Sequence, residues 1–77
     1  MIEVLLFAEL RDKVGKDKIA LEITQVTIKE LKRILETDYA LNKLDGMMFA
    51  VNEEYATDEQ IVQSGDTVAI IPPVSGG

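Results

Sequence analysis

The sequence predicts an α+β domain with a mixed sheet and one main helix packed on one face, and three observations carry that prediction. The segment "QVTIKELKRILETD" combines a helix-start signal with an apolar stripe at helical spacing. Segments near both ends alternate apolar and polar residues with the period of a strand. The resulting order is strand, strand, helix, strand, strand, in which a single long helix is available to cover the sheet.

At the start, "MIEVLLFA" puts Ile2, Val4 and Leu6 on one strand face and Glu3, Leu5 and Phe7 on the other, so both faces are partly apolar. "ELRDKVG" reads as a single helical turn between two strands. Leu10 and Val14 lie one turn apart, Glu9 precedes Lys13 by four residues, and Gly15 can end the turn. In "KIALEI", Ile19, Leu21 and Ile23 point inward, which makes the first two strands a hairpin. Thr27 then supplies an N-cap, Glu30 its capping-box partner, and Val26 with Leu31 a hydrophobic staple. Ile28, Leu31, Ile34 and Leu35 form the stripe that meets the sheet, with Lys29, Glu30, Lys32, Arg33 and Glu36 lying away from it.

"YALNKLDG" is expected to be a loop and "MMFAV" a third strand, with Met47 and Met48 filling core and rim. "NEEYATDEQ" reads as a polar connection holding one short turn started by Thr57. "SGDTVAII" reads as a turn and the final strand, Gly65 and Asp66 supplying the turn chemistry. This order suits a ubiquitin-like β-grasp over residues 1–73, in which the first and last strands run side by side and parallel. With Val68 and Ile70 facing the helix, Ala69 and Ile71 share the opposite face with Leu5 and Phe7. A contiguous apolar patch on that face is expected to be a docking surface.

Composition narrows the chemistry. The chain of 77 residues is long enough for one small domain, and a 47% hydrophobic content is that of an ordinary globular protein. No apolar stretch approaches the roughly 20 residues needed to cross a bilayer, and "MIEVLLFAEL" has an acid where a signal peptide would have basic residues. The expectation is a cytoplasmic protein without a membrane partner. A net charge of -6 with scattered basic residues argues against nucleic acid; such an acidic surface is usually a solubility device, and it would also speed encounter with a basic protein. Cys and His are both absent, which removes disulfides, thiol nucleophiles, imidazole bases and the usual zinc ligands. Glu53, Glu54, Asp58 and Glu59 lack the spacing of a calcium loop, so no metal site is expected.

The last stretch, "AIIPPVSGG", asks for a different explanation. Pro72 and Pro73 lack amide hydrogens and would stop a strand ladder, sending residues 74–77 out as a flexible tail. Gly76 and Gly77 have no Cβ, so the backbone there could enter a channel too narrow for other residues. A terminal carboxylate so presented is suited to activation.

Two separated stretches, "LLFAELRDKVG" and "SGDTVAIIPPVSGG", resemble the small, sulfur-carrying subunit family of molybdopterin synthase, and Pro-Pro-Val-Ser-Gly-Gly is the specific part of the match. The resemblance implies that the Gly77 carboxylate is adenylated by an E1-like, ATP-dependent enzyme. A sulfur donor protein then converts it to a thiocarboxylate that delivers sulfur to cyclic pyranopterin monophosphate, building the molybdopterin dithiolene. It also implies insertion of Pro72, Pro73, Val74, Ser75 and Gly76 into a large subunit, typically in a heterotetramer. Phe7, Tyr55 and Ile71 match positions of apolar contact with that subunit, and Leu5 and Arg11 are further candidates. The chain would be no enzyme on its own and would bind no cofactor stably, ATP being used by the activating enzyme. Two other classes remain open at this point: a thiamine-pathway sulfur carrier or ubiquitin-like modifier, and an interaction domain with an inert C-terminus.

Overall fold

The computed structural model describes residues 1–73, and their elements follow in the order β1 (Ile2–Leu6), α1 (Ala8–Val14), β2 (Lys18–Leu21), β3 (Gln25–Thr27) and α2 (Ile28–Asp38). A 3-10 turn, Leu44–Gly46, leads to β4 (Met48–Val51), β5 (Glu54–Ala56), β6 (Ile61–Gln63) and β7 (Thr67–Ile71). Five strands form one sheet in the order β2-β1-β7-β4-β5, and β3 pairs with β6 in a second, two-stranded sheet. Only β1 and β7 pair in parallel, Val4 opposite Val68 and Leu6 opposite Ile70; the other pairs are antiparallel. This is the predicted α+β β-grasp.

Alternation in the strands decides which side of the sheet is dry. Ile2, Val4 and Leu6 of β1, Phe49 and Val51 of β4, and Val68 and Ile70 of β7 join Ile28, Leu31 and Leu35 of α2 in one core. A fully buried aliphatic side chain contributes about 1.5–3 kcal/mol, so these residues fix α2 on one face of the sheet and leave the other face uncovered. The start of α2 follows the predicted cap: the Glu30 amide donates to Thr27 Oγ1 at 3.2 Å. The Thr27 hydroxyl in turn donates to Glu30 Oε1 at 3.2 Å, so the acid meets the hydroxyl rather than the backbone amide of the usual reciprocal box.

Four expectations are corrected. The first helical turn is a seven-residue helix, α1, closed as predicted by Gly15 at φ 83°. Ile23 lies past the end of β2 and is half-buried. The segment read as a polar connection contains one strand, β5, and a second, β6, follows it directly. β6 pairs with β3, while the loop between β5 and β6 gives the carbonyls of Gln60 and Asp58 to the Ile28 and Lys29 amides, two of the unpaired donors that begin any helix. The predicted Thr57 turn lies inside that loop, closed by the Gln60 amide on the Thr57 carbonyl at 3.1 Å.

β5 escaped the sequence reading because its hairpin lacks glycine. Val51 pairs with Glu54 across a two-residue turn in which Asn52 has φ 50° and Glu53 φ 73°. Both central residues are left-handed, as the twist of a tight hairpin requires, and the second position is where glycine is strongly favoured. Replacing Glu53→Gly should therefore stabilise the domain by about 0.5–1 kcal/mol, the relief of left-handed strain exceeding the added chain entropy. In a domain of this size that is a rise of roughly 2–8 °C in the thermal midpoint, readable by circular dichroism. A lowered midpoint would contradict the turn geometry.

The fourth correction is Lys32, expected on the solvent face. Its side chain is only 12% exposed, with Nζ 2.6 Å from Asp58 and 3.4 Å from Asp45. The ammonium also stands 5.2 Å from the centre of the Phe49 ring, so the stem covers the core edge while the head joins α2 to two loops. The hydrogen bond that Lys32 donates to Asp58 raises its pKa above the ordinary 10.5, and Asp45 adds to this against the opposing effect of desolvation. A raised folded-state pKa means stability that is fully present below about pH 10.5 and lost as pH climbs through the folded value. Lys32→Met should cost about 1 kcal/mol at neutral pH and remove that part of the alkaline loss. Urea midpoints of both chains at pH 8 and above pH 11 test this; parallel profiles would refute it.

Candidate functional site on the outer face of the sheet

The uncovered face is organised by strand register. Leu5 of β1 stands between Lys18 of β2 and Ala69 of β7, Ala69 opposes Ala50 of β4, and Ala50 opposes Tyr55 of β5. One transverse row thus carries Leu5, Ala69, Ala50 and Tyr55, and with strands about 4.8 Å apart it spans roughly 14 Å. In the next row of this face Ile71 opposes Met48. Phe7 stands one residue beyond the Leu6–Ile70 pair, beside Ile71.

These side chains are open to solvent to an unusual degree for their size. Tyr55 is 70% exposed, Met48 50% and Phe7 46%, while Leu5, Ala69 and Ile71 are half-buried. The structure therefore gathers Leu5, Phe7 and Ile71 at the β1–β7 junction and sets Tyr55 at the far edge of the same face. Arg11, on α1, is exposed and lines a shallow groove with Leu5, Phe7 and Lys18. Met48 is the member that sequence reading did not assign to this surface, having been counted as filler. The signal was available in the alternation of "MMFAV", which sets Met48 and the small, buried Ala50 on the side opposite to Phe49 and Val51.

One end of the face is held by a polar clamp. Asp66 accepts from the Gln63 amide at 2.8 Å and from Asn52 Nδ2 at 3.0 Å, and Asn52 Oδ1 accepts from the Thr67 amide at 3.0 Å. The Gln63 amide first, and Asn52 second, hold the Asp66 carboxyl below its ordinary range. The clamp locks the Asn52–Glu53 turn to the beginning of β7. The charged groups around this face include the Lys18–Glu3 pair at 3.5 Å, the Arg11 guanidinium, and Glu53 and Asp66 at the clamped end, and the sequence holds no His or Cys. Among the described residues no group of three or more His, Cys, Asp or Glu side chains is placed to hold a metal, and no helix is long and apolar enough to cross a membrane.

At the other end β7 stops at Ile71, after which Pro72 is half-buried and Pro73 exposed. The remaining predicted site residues, Val74, Ser75, Gly76 and Gly77, lie outside the described residues.

Comparison with known proteins places this geometry in context. The model of the ThiS family matches residues 4–77. The molybdopterin synthase sulfur carrier subunit of Arabidopsis thaliana is 41% identical, over 99% of this chain and 82% of that protein. Among solved structures, SAMP1 from Haloferax volcanii superposes with a TM-score of 0.82 at 24% identity, over 99% of this chain and 98% of that one. Subunits 1 and 2 of the molybdopterin-converting factor from Helicobacter pylori 26695, solved as a protein–protein complex, include a chain that superposes with a TM-score of 0.67 at 24% identity, over 99% and 97% of the two chains. At those identities the two structures speak for the fold.

Proposed function

The chain belongs to the ThiS family, and from that membership we propose that it is the sulfur-carrier subunit of a molybdopterin synthase. The observation that carries this reading is the apolar face formed by the exposed Phe7, Met48 and Tyr55 with the half-buried Ile71, which ends the strand that runs into Pro72 and Pro73. In this reading an E1-like enzyme spends ATP to adenylate the Gly77 carboxylate, releasing pyrophosphate. Sulfur from a donor protein then replaces AMP and leaves a thiocarboxylate, a stronger nucleophile than the carboxylate it came from. The outer face seats the chain on the large subunit, with Leu5 and Arg11 at the margin of the contact, and residues 72–76 lead Gly77 to cyclic pyranopterin monophosphate. Two deliveries complete the dithiolene.

The division of labour follows from the residues present. With neither Cys nor His, the chain supplies the carrier group and the docking surface, and its partners supply acid–base chemistry and ATP binding. A net charge of -6 favours encounter with a basic docking site, as expected of a partner that binds a phosphate ester, in a cytoplasmic assembly of two small and two large subunits. The decisive experiment mixes thiocarboxylated chain with the molybdopterin synthase large subunit and cyclic pyranopterin monophosphate, and in parallel with a thiamine-pathway acceptor. Molybdopterin should form only in the first mixture as the chain returns to the carboxylate mass. Sulfur loss only in the second would overturn the assignment.

A further inference from the structure

Phe7 reaches the outer face through a sharp reversal of the chain. Leu6 is in the core at 1% exposure, Phe7 is extended at φ -129° and ψ 157°, and Leu10 is back in the core at 3% exposure. Between them Ala8 is left-handed at φ 51°. The turn is braced on both sides: the Leu6 amide donates to the Asp17 carbonyl at 2.9 Å, and the Leu10 amide to the Phe7 carbonyl at 3.1 Å. Phe7 is the N-cap of α1, a position at which its hydrocarbon side chain can accept no amide hydrogen bond, and its ring is 46% exposed.

An L-alanine in this conformation sets its Cβ against the following carbonyl, a penalty that glycine would not incur. Strain of this kind persists where the surroundings over-determine the backbone, and it is concentrated where geometry is used. Among the described residues five non-glycine positions have positive φ, namely Ala8, Ala40, Lys43, Asn52 and Glu53. Of these only Ala8 directly follows one of the large exposed apolar side chains, Met1, Phe7, Met48, Tyr55 and Ile61. The methyl group at position 8 raises the energy of the turn, yet it also removes most of the backbone freedom that a glycine there would have.

We propose that Ala8 is a positioning residue for docking: its Cβ narrows the left-handed turn after β1 so that Phe7 is presented on the outer face in its bound orientation. The inference rests on the docking role given to that face above. Fixing a side chain before association lowers the ordering cost of binding, so loss of the restraint is read in affinity rather than in folding.

Three full-length chains made by peptide ligation test it: the natural one, Ala8→Gly and Ala8→D-Ala, with Phe7→Ala as a control. The glycine variant relaxes the strain and frees the backbone, whereas D-alanine relaxes the strain and keeps the restraint. Ala8→Gly should leave the thermal midpoint level or higher while raising the Kd for the large subunit about two- to fivefold, mostly through a faster off-rate. Ala8→D-Ala should raise the midpoint and keep the natural Kd. Phe7→Ala should weaken binding more than either. Unchanged affinity in Ala8→Gly beside a weakened Phe7→Ala overturns the positioning role and leaves the docking face intact. A midpoint that falls together with affinity in Ala8→Gly, without recovery in the D-alanine chain, marks a purely structural residue and overturns it as well. Unchanged binding in Phe7→Ala overturns both readings together.

Discussion

Deleting Gly77, or adding one residue after it, should abolish sulfur transfer while the thermal midpoint stays where it was. The ladder of β7 ends at Ile71, and among the described residues the buried core contains none later than Ile70, so the packing described above does not involve position 77. The expected change in stability is under about 0.5 kcal/mol, the usual range for substitutions away from a core. Transfer has no such tolerance. Deletion draws the terminal carbonyl back by about 3.5 Å, when a positioned reaction can lose 100-fold for a displacement of about 1 Å. Extension converts the glycyl carboxylate into an amide, which has no oxygen able to attack ATP. Mass spectrometry after incubation with activating enzyme, ATP and sulfur donor reads the outcome as the oxygen-to-sulfur mass difference. An extended chain that acquired this difference at position 77 and still made molybdopterin would sink the carrier reading.

The second large effect concerns the outer face. Phe7→Asp or Ile71→Asp should raise the Kd for the large subunit by two or more orders of magnitude. Phe7 is 46% exposed, so the free chain keeps an acid there hydrated and folds almost as before; Ile71, half-buried at the end of β7, should lose somewhat more. In the complex that carboxylate is stripped of water without a partner, which costs a few kcal/mol, and each 1.4 kcal/mol is a factor of ten. Register adds a sharper version of the test. Met48 opposes Ile71 on the same face, so Met48→Asp should behave like Ile71→Asp. Ile61, exposed to nearly the same degree at 47%, belongs to β6 in the separate small sheet, so Ile61→Asp should bind normally. Calorimetry that found no difference between the Met48 and Ile61 variants would dismiss the outer face as the interface.

The sequence by itself determined those parts of the protein whose cause is local. Thr27 begins α2 because its side-chain oxygen accepts from an amide that is already nearby, that of Glu30, whose carboxylate in turn accepts from the Thr27 hydroxyl. Ile28, Leu31 and Leu35 lie in the core because helical spacing leaves them no other side. The alternation in β1 and β7 likewise puts Leu5 and Ile71 on one face, since a strand has only two sides. The motif at the end of the chain was legible for a similar reason: its chemistry depends on residue type and order.

Tertiary structure decided whatever depends on partners distant in sequence. β3 and β6 are three residues each and become strands only because Val26 and Val62 meet across 36 positions of chain, which no local periodicity announces. β5 forms because Asn52, clamped by Asp66 and Thr67, holds a left-handed turn with a glutamate where glycine is usual. Lys32 has the same composition as any exposed helical lysine. It is drawn inward because folding delivers Asp45, Asp58 and the Phe49 ring to one side of α2, and their combined field outweighs the loss of its water. Alternation in "MMFAV" already turns Met48 away from Phe49, but only the sheet sets it beside Ile71, 23 residues away in the chain and directly opposite across the strands.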